Sequence, residues 1–295
     1  MNNLTSSILR KLISKLIFKD RTYLLGMVFV RFSRKLRKNS YSKFEQNKHK
    51  EIIIDNCLGD LKMQINPYNY MGGSIYWSGF HHIAEIVYLN RFLSTEMNFV
   101  DIGANQGEFS LFAASKIKDG QIYSFEPVKR QFTTLIKNKE INNITSIIPF
   151  NFGLSNGKGE LPIYTSANTN LHHGNHEGLS TLYPTEERNV LEDTVQLEVF
   201  DVLFFENLKR LDFIKIDIEG AELFALQGMK KTISKFKPEI LIEINDETFH
   251  SAGYSSNEMI SFLSEFGYKP YKIFRGNLIP INSINTDWGN YIFKI

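Results

Sequence analysis

The chain has 295 residues, 42% of them hydrophobic, enough to bury one sizeable core but leaving little for a second. Its lone cysteine, Cys57, excludes an intrachain disulfide and a cysteine-based zinc site, and points to a reducing compartment. The net charge of +2 conceals an asymmetry: residues 1–50 hold thirteen Lys/Arg against Asp20 and Glu45, a local +11, so the remaining 245 residues carry −9.

Within the basic segment, Ile8, Leu9, Leu12, Ile13, Leu16 and Ile17 recur at helical spacing while Arg10, Lys11, Lys15 and Lys19 occupy other faces. That pattern predicts an amphipathic basic extension over residues 1–50. It can dock on the rest of the chain or lie on an anionic membrane surface. The apolar stretch 23–30 is interrupted by Gly26 and closed by Arg31, far short of the roughly 20 residues that span a bilayer. Basic residues rather than a small-residue cleavage site follow it, so no export leader is expected. The expected location is the cytoplasm, with a peripheral position on the cytoplasmic membrane face left open. Residues 51–97 are read as a lead-in segment that packs on the core.

From residue 98 short runs rich in Ile, Val and Phe alternate with helical periodicity, the signature of a parallel sheet covered by helices on both faces. The expected order is strand 98–102, helix 107–116, strand 121–125, a helix through residue 139 and strand 146–152. Glycines and prolines then mark a loop-rich insertion with short hairpins over residues 154–200. Strand 212–216, helix 221–235, strand 239–244, helix 256–266 and terminal strands near Tyr271 and Tyr291 complete the domain 98–295.

The sharpest local signal is residues 99–107, an apolar strand running into Gly103, Ala104, Asn105, Gln106 and Gly107. Gly103 and Gly107 let backbone approach a ligand closely, and Asn105 tolerates a left-handed conformation. A dinucleotide fingerprint would place glycines at Asn105 and Glu108, and Glu108 would set a carboxylate near two phosphates. S-adenosylmethionine carries no phosphate and a positive sulfonium, so Asp101 and Glu108 suit it better. Glu126, followed by Pro127, ends the next strand, where a carboxylate can accept from both hydroxyls of a ribose.

The turn VDIGANQG, the FEP triplet and the run DFIKIDIEGAE at 212–222, continued by PEILIE at 238–243, together resemble the FkbM family of methyltransferases. The resemblance covers roughly residues 80–275. It implies a class I methyltransferase Rossmann-like α/β fold, a seven-stranded mostly parallel sheet with an antiparallel last strand, and O-methylation of a sugar, glycan, polyketide or similar hydroxyl-bearing small molecule. By position it places Asp101, Gly103, Asn105 and Gly107 in the cofactor turn, Glu126 as the ribose acid, and Asp217 and Glu219 in a second acidic cluster. Glu85 falls where relatives often carry an acid.

Asp217 and Glu219 sit at the carboxyl end of a strand, where open α/β sheets place ligands, and side chains two apart share a face. If they converge, mutual repulsion raises one pKa and makes a better base, or the pair holds a divalent cation; a metal is allowed, not implied. Glu222 reads as a helix-terminus acid. Glu243 and His250 end or follow the neighbouring strand and can face an acceptor. His172, His173 and His176 read as solvated loop residues or as a mobile base, and His81 and His82 as cleft lining or packing. Two other readings stand beside methyl transfer: a NAD- or nucleotide-sugar-dependent oxidoreductase, from the strand, turn and ribose acid, and a nucleic-acid binder using the basic arm. The acidic body argues against the latter, and no nucleic-acid partner is expected. Oligomeric state is left open.

Overall fold

A computed structural model describes residues 3–38, 50–166, 180–186 and 188–295. Two helices, α1 (Asn3–Ile17) and α2 (Tyr23–Lys38), precede a hairpin of β1 (Ile52–Cys57) and β2 (Leu61–Ile65) and the helices α3 (Tyr70–Ser78) and α4 (Ile83–Phe92). The sheet domain follows as β3 (Phe99–Ile102), α5 (Glu108–Lys116), β4 (Ile122–Phe125), α6 (Lys129–Glu140) and β5 (Ile147–Phe150). The insertion supplies β6 (Gly153–Leu154), β7 (Gly159–Thr165) and β8 (Val190–Glu198). After the short α7 (Phe200–Phe204) come β9 (Phe213–Ile216), α8 (Glu222–Gln227), α9 (Lys230–Phe236), β10 (Glu239–Ile244), α10 (Asp246–Ser251), α11 (Ser256–Glu265), β11 (Lys269–Phe274), β12 (Asn277–Pro280) and β13 (Gly289–Lys294).

The main sheet has the order β12-β11-β13-β10-β9-β3-β4-β5. Strands β10, β9, β3, β4 and β5 are mutually parallel, and β13 enters antiparallel beside β10. This is the class I methyltransferase arrangement, with the last strand antiparallel as expected. Eight strands are present where seven were expected. The extra one, β12, folds back on β11 through a two-residue turn whose residues Arg275 and Gly276 both have positive φ (51° and 73°). Such turns match the twist of the paired strands, but Arg-Gly is a weak written signal for one.

Alternation along the strands divides the apolar residues between two cores. Phe99, Phe213, Leu241 and Ile292 face one side, where α1, α2, the β1–β2 hairpin, α3, α4 and α5 cover them. Val100, Ile102, Ile214, Ile216, Ile240 and Ile242 face the other, beneath α8, α9 and α11. The expected helix 221–235 is two helices. Gly228 closes against the chain after β6, where a Cβ would lie 2.2 Å from the Ser155 carbonyl, and a remote carboxylate, Asp201, accepts from the backbone N–H groups of Lys231 and Thr232 to cap the second piece.

The basic arm is docked on the sheet domain over α1. Leu9, Ile13 and Ile17 are buried in the first core, and Arg10 donates to the carbonyls of Asp55 (2.7 Å) and Tyr76 (2.6 Å). Ile8 and Leu12, counted in the same stripe by spacing, are exposed. Replacing the buried Ile13 by Ala is therefore expected to cost about 2–5 kcal/mol, whereas Ile8→Ala should stay within about 0.5 kcal/mol. Urea unfolding of both variants checks this, and equal effects would mean that α1 does not pack on the core.

Candidate functional site

A cleft of about 390 Å³ opens at the carboxyl ends of β3, β4, β9 and β10, next to the point where strand order reverses between β3 and β9. Its floor at one end is the turn after β3. Gly103 has φ 75°, and a Cβ there would lie 2.0 Å from the Asp217 carbonyl, so no other residue fits. Asn105 is left-handed with φ 50°, and Gly107, with φ 97°, starts α5. The Glu126 carboxylate accepts from the backbone N–H of Asn105 (2.8 Å) and of Val128 (2.9 Å), which orients it beside the turn. Burial pushes its pKa up to about 7, against the pull of those two hydrogen bonds. Pro127, Leu154, Ile163 and Leu197 form an apolar wall beside it.

At the other end, Asp217, Glu219 and Glu243 bring carboxylate oxygens within 4.8 Å of one another. Burial first, and then the charges of Asp217 and Glu219, push Glu243 up to about 9, so at neutral pH it holds a proton. Trp288, exposed at the rim, donates from Nε1 to Glu243 Oε1 at 2.7 Å. Glu219 is a non-glycine residue at φ 53°, held there by the insertion: Arg188 Nη1 donates to its Oε2 (2.6 Å) and Thr181 Oγ1 to its carbonyl (2.8 Å). The trio has the donor chemistry of a divalent-cation site, although Arg188 and Trp288 already engage two of its three carboxylates.

Lys215, overlooked in the sequence because it lies inside an apolar strand, links the two ends. Its buried Nζ donates to the Gly103 carbonyl (2.8 Å) and lies 3.6 Å from Asp101 Oδ1 and 3.7 Å from Asp217 Oδ2. Burial alone would lower its pKa, but the charges of Asp217 and Asp101 outweigh this and raise it. Asp101 is wholly buried below the cleft rather than lining it, and accepts from Ser110. Its carboxyl is shifted upward by burial against the pull of Lys215.

His81 and His82 do line the cleft. His82 Nδ1 is 2.8 Å from Glu108 Oε2, and Glu108 Oε1 accepts from the backbone N–H of both histidines. Burial lowers His81 to about 3; it also opposes charge on His82, but there the hydrogen bond to Glu108 prevails and the pKa is raised. Glu108 thus serves this pair rather than merely being tolerated near a cofactor.

Four expected site residues do not line the cleft: Asp101, described above, Glu85, His250 and Gly107. Glu85 is buried on α4 and accepts from Asn290 Nδ2 at 2.9 Å, bracing β13. His250 is exposed on α10, a helix the sequence reading treated as loop, and is absent from the cleft lining. Gly107 also lies behind the lining, where a Cβ would meet Leu135 at 2.6 Å. Glu222 braces the turn before α8 by accepting from the backbone N–H groups of Ile218 and Gly220, both at 2.9 Å. His172, His173 and His176 lie outside the described residues.

Residues 101–270 match the model of the methyltransferase FkbM domain. The chain belongs to the FkbM methyltransferase family. It is 27% identical over 166 residues to Methyltransferase 1 of Beauveria bassiana, covering 50% of this chain and 64% of that protein. It is 25% identical to methyltransferase sdnD of Sordaria araneosa (66% and 73% covered) and 25% identical to the hexuronic acid methyltransferase AglP of Haloferax volcanii (56% and 60% covered). The chain therefore spans less than two thirds of the first and third of these relatives. A crystal structure of methyltransferase FkbM from Methylobacillus flagellatus aligns with a TM-score of 0.44 at 18% identity, over 69% of this chain and 44% of that one.

Lys215→Met should leave Asp101 buried without its cation and cost about 3–5 kcal/mol near pH 8. An acid whose folded pKa lies above its unfolded value loses stability as pH rises, so the penalty should shrink toward pH 5 as Asp101 protonates. Denaturant melts at the two pH values measure this; a penalty independent of pH would show that the pair is not electrostatically coupled.

Proposed function

We propose that the protein transfers the methyl group of S-adenosylmethionine to a hydroxyl oxygen of a sugar or related polyhydroxy molecule. The observation that carries this reading is the joining, in one cleft, of the Gly103–Asn105 turn and Glu126 to the carboxylates of Asp217, Glu219 and Glu243. The first half fits the cofactor. Glu126 faces the cleft with lone pairs to spare for two hydroxyls, and the buried Gln131 Oε1 in the same lining has no donor of its own. Glu126 would hold the ribose, and the apolar wall of Val128, Leu154 and Leu197 a flat base.

When bound, S-adenosylmethionine supplies a methyl carbon activated by its positive sulfur. The chain's own contribution is placement and proton management. Positioning the acceptor in line with that carbon supplies most of the rate. Asp217, at the strand end and partly open to the cleft, would accept the proton that the acceptor hydroxyl gives up on methylation. Lys215 Nζ, 3.7 Å from Asp217 Oδ2, holds that side chain in place. Protonated Glu243 and the rim indole of Trp288 can hydrogen-bond and stack on a sugar face. Asp217 and Glu219 beside the protonated Glu243 favour a neutral hydroxyl-bearing acceptor over an acidic one. Acceptance of a uronic acid, the class named for the Haloferax relative, would then need a further proton on a neighbour of Glu243.

Two outcomes are expected. Glu126→Gln should weaken binding of S-adenosylhomocysteine by roughly 1.5–3 kcal/mol. Because the ionised carboxylate is the better acceptor and its pKa is about 7, wild-type affinity should rise with pH across neutrality while the variant's stays flat. Isothermal titration measures both, and an unchanged affinity in the folded variant removes the ribose assignment. Asp217→Asn should lower transfer of labelled methyl to neutral glycans by about 10²–10⁴-fold with a near-native melting temperature. Wild-type turnover would exclude Asp217 as base, and a large stability loss would make it structural.

A further inference from the structure

We infer that α2 carries a surface for docking onto an anionic lipid bilayer. Its inner face is fixed to the protein: Val30 and Ser33 are buried, and Gly26 packs so closely on α1 that a Cβ would lie 2.7 Å from Ile17. The opposite face is apolar yet open. Leu24, Val28 and Phe32, spaced one helical turn apart, are 59%, 56% and 50% exposed, and Leu25 stands beside them. Arg31, Arg34, Lys35 and Lys38 flank this stripe, all exposed and none in an ion pair among the described residues. The adjoining α1 exposes Leu4, Ile8 and Leu12 together with Lys11 and Lys15, and Lys19 is exposed in the turn after it. The single acid of this helix pair, Asp20, is taken up by Arg91.

Charge decides the occupant. The first fifty residues carry +11 and the remainder −9, so an anionic surface attracts the hairpin and repels the body, which sets one orientation. Apolar side chains interleaved with long basic ones on one outward face suit the headgroup boundary, where Leu and Phe sink in and Lys and Arg reach back to phosphates. In the sequence the stripe on α1 could serve either the protein or a membrane; the fold uses Leu9, Ile13 and Ile17 of that stripe for its core and leaves the lipid-facing role to α2.

The experiment is co-sedimentation of the full chain with vesicles of phosphatidylglycerol and phosphatidylcholine, against phosphatidylcholine alone. Binding is expected to the anionic vesicles only and to fall about ten-fold or more near 1 M salt, where the screening length is ~3 Å. The triple variants L24S/V28S/F32S and R31E/R34E/K35E should each lose it while binding S-adenosylhomocysteine as tightly as the parent; a parallel melt verifies that they fold. Binding retained by both variants, or no binding by the parent, overturns the proposal. So does self-association of the parent without lipid that the apolar variant abolishes, since a second copy would then cover the face.

Discussion

An ammonium group buried at the switch point of the sheet is the constraint on which the site depends. Lys215 stands on β9 directly opposite Asp101 on β3, so strand register alone brings the two charges together. Neither could be buried alone without a large desolvation cost. With both present, the lysine also binds the Gly103 carbonyl and reaches Asp217, tying the glycine turn to the acidic end of the cleft. The close approach of Gly103 to the Asp217 carbonyl is the steric counterpart of the same tie.

From that tie the cleft divides into two environments. Around Glu126 there are backbone donors and apolar walls; around Asp217 there are carboxylates, an indole and a guanidinium. Burial raises acid pKa values in both, but the consequences differ. The Glu126 carboxylate, with two fixed N–H donors, titrates near neutrality, whereas Glu243, buried beside the charges of Asp217 and Glu219, retains its proton well above it. One half can therefore respond to a ligand's hydroxyls and the other can move a proton without importing further charge.

Much of this was legible in the sequence because it rests on local chemistry. Short apolar runs between helical segments pointed to the parallel strands, glycine spacing to the turn, and position at strand ends to Glu126, Asp217, Glu219 and Glu243. What escaped depends on residues far apart. Lys215 reads as an interruption of an apolar strand until Asp101 is placed next to it, and the capping of α9 by Asp201 spans about thirty residues. His82 and Glu108 are 26 positions apart and meet only once α4 and α5 pack. Glu85 was named from the family resemblance and His250 from its place after a strand, and their helices carry both elsewhere.

The small sheet of β6, β7 and β8 touches both environments at once. Leu154, Ile163 and Leu197 wall the Glu126 end, while the segment leading into β8 brings Arg188 to Glu219 at the acidic end. A graft that replaced this insertion would strip the apolar wall from one end of the cleft and, at the other, uncover a buried carboxylate held in a left-handed turn. The insertion is not a detachable cassette: a replacement loop has to arrive with its own cation for Glu219 and its own apolar wall.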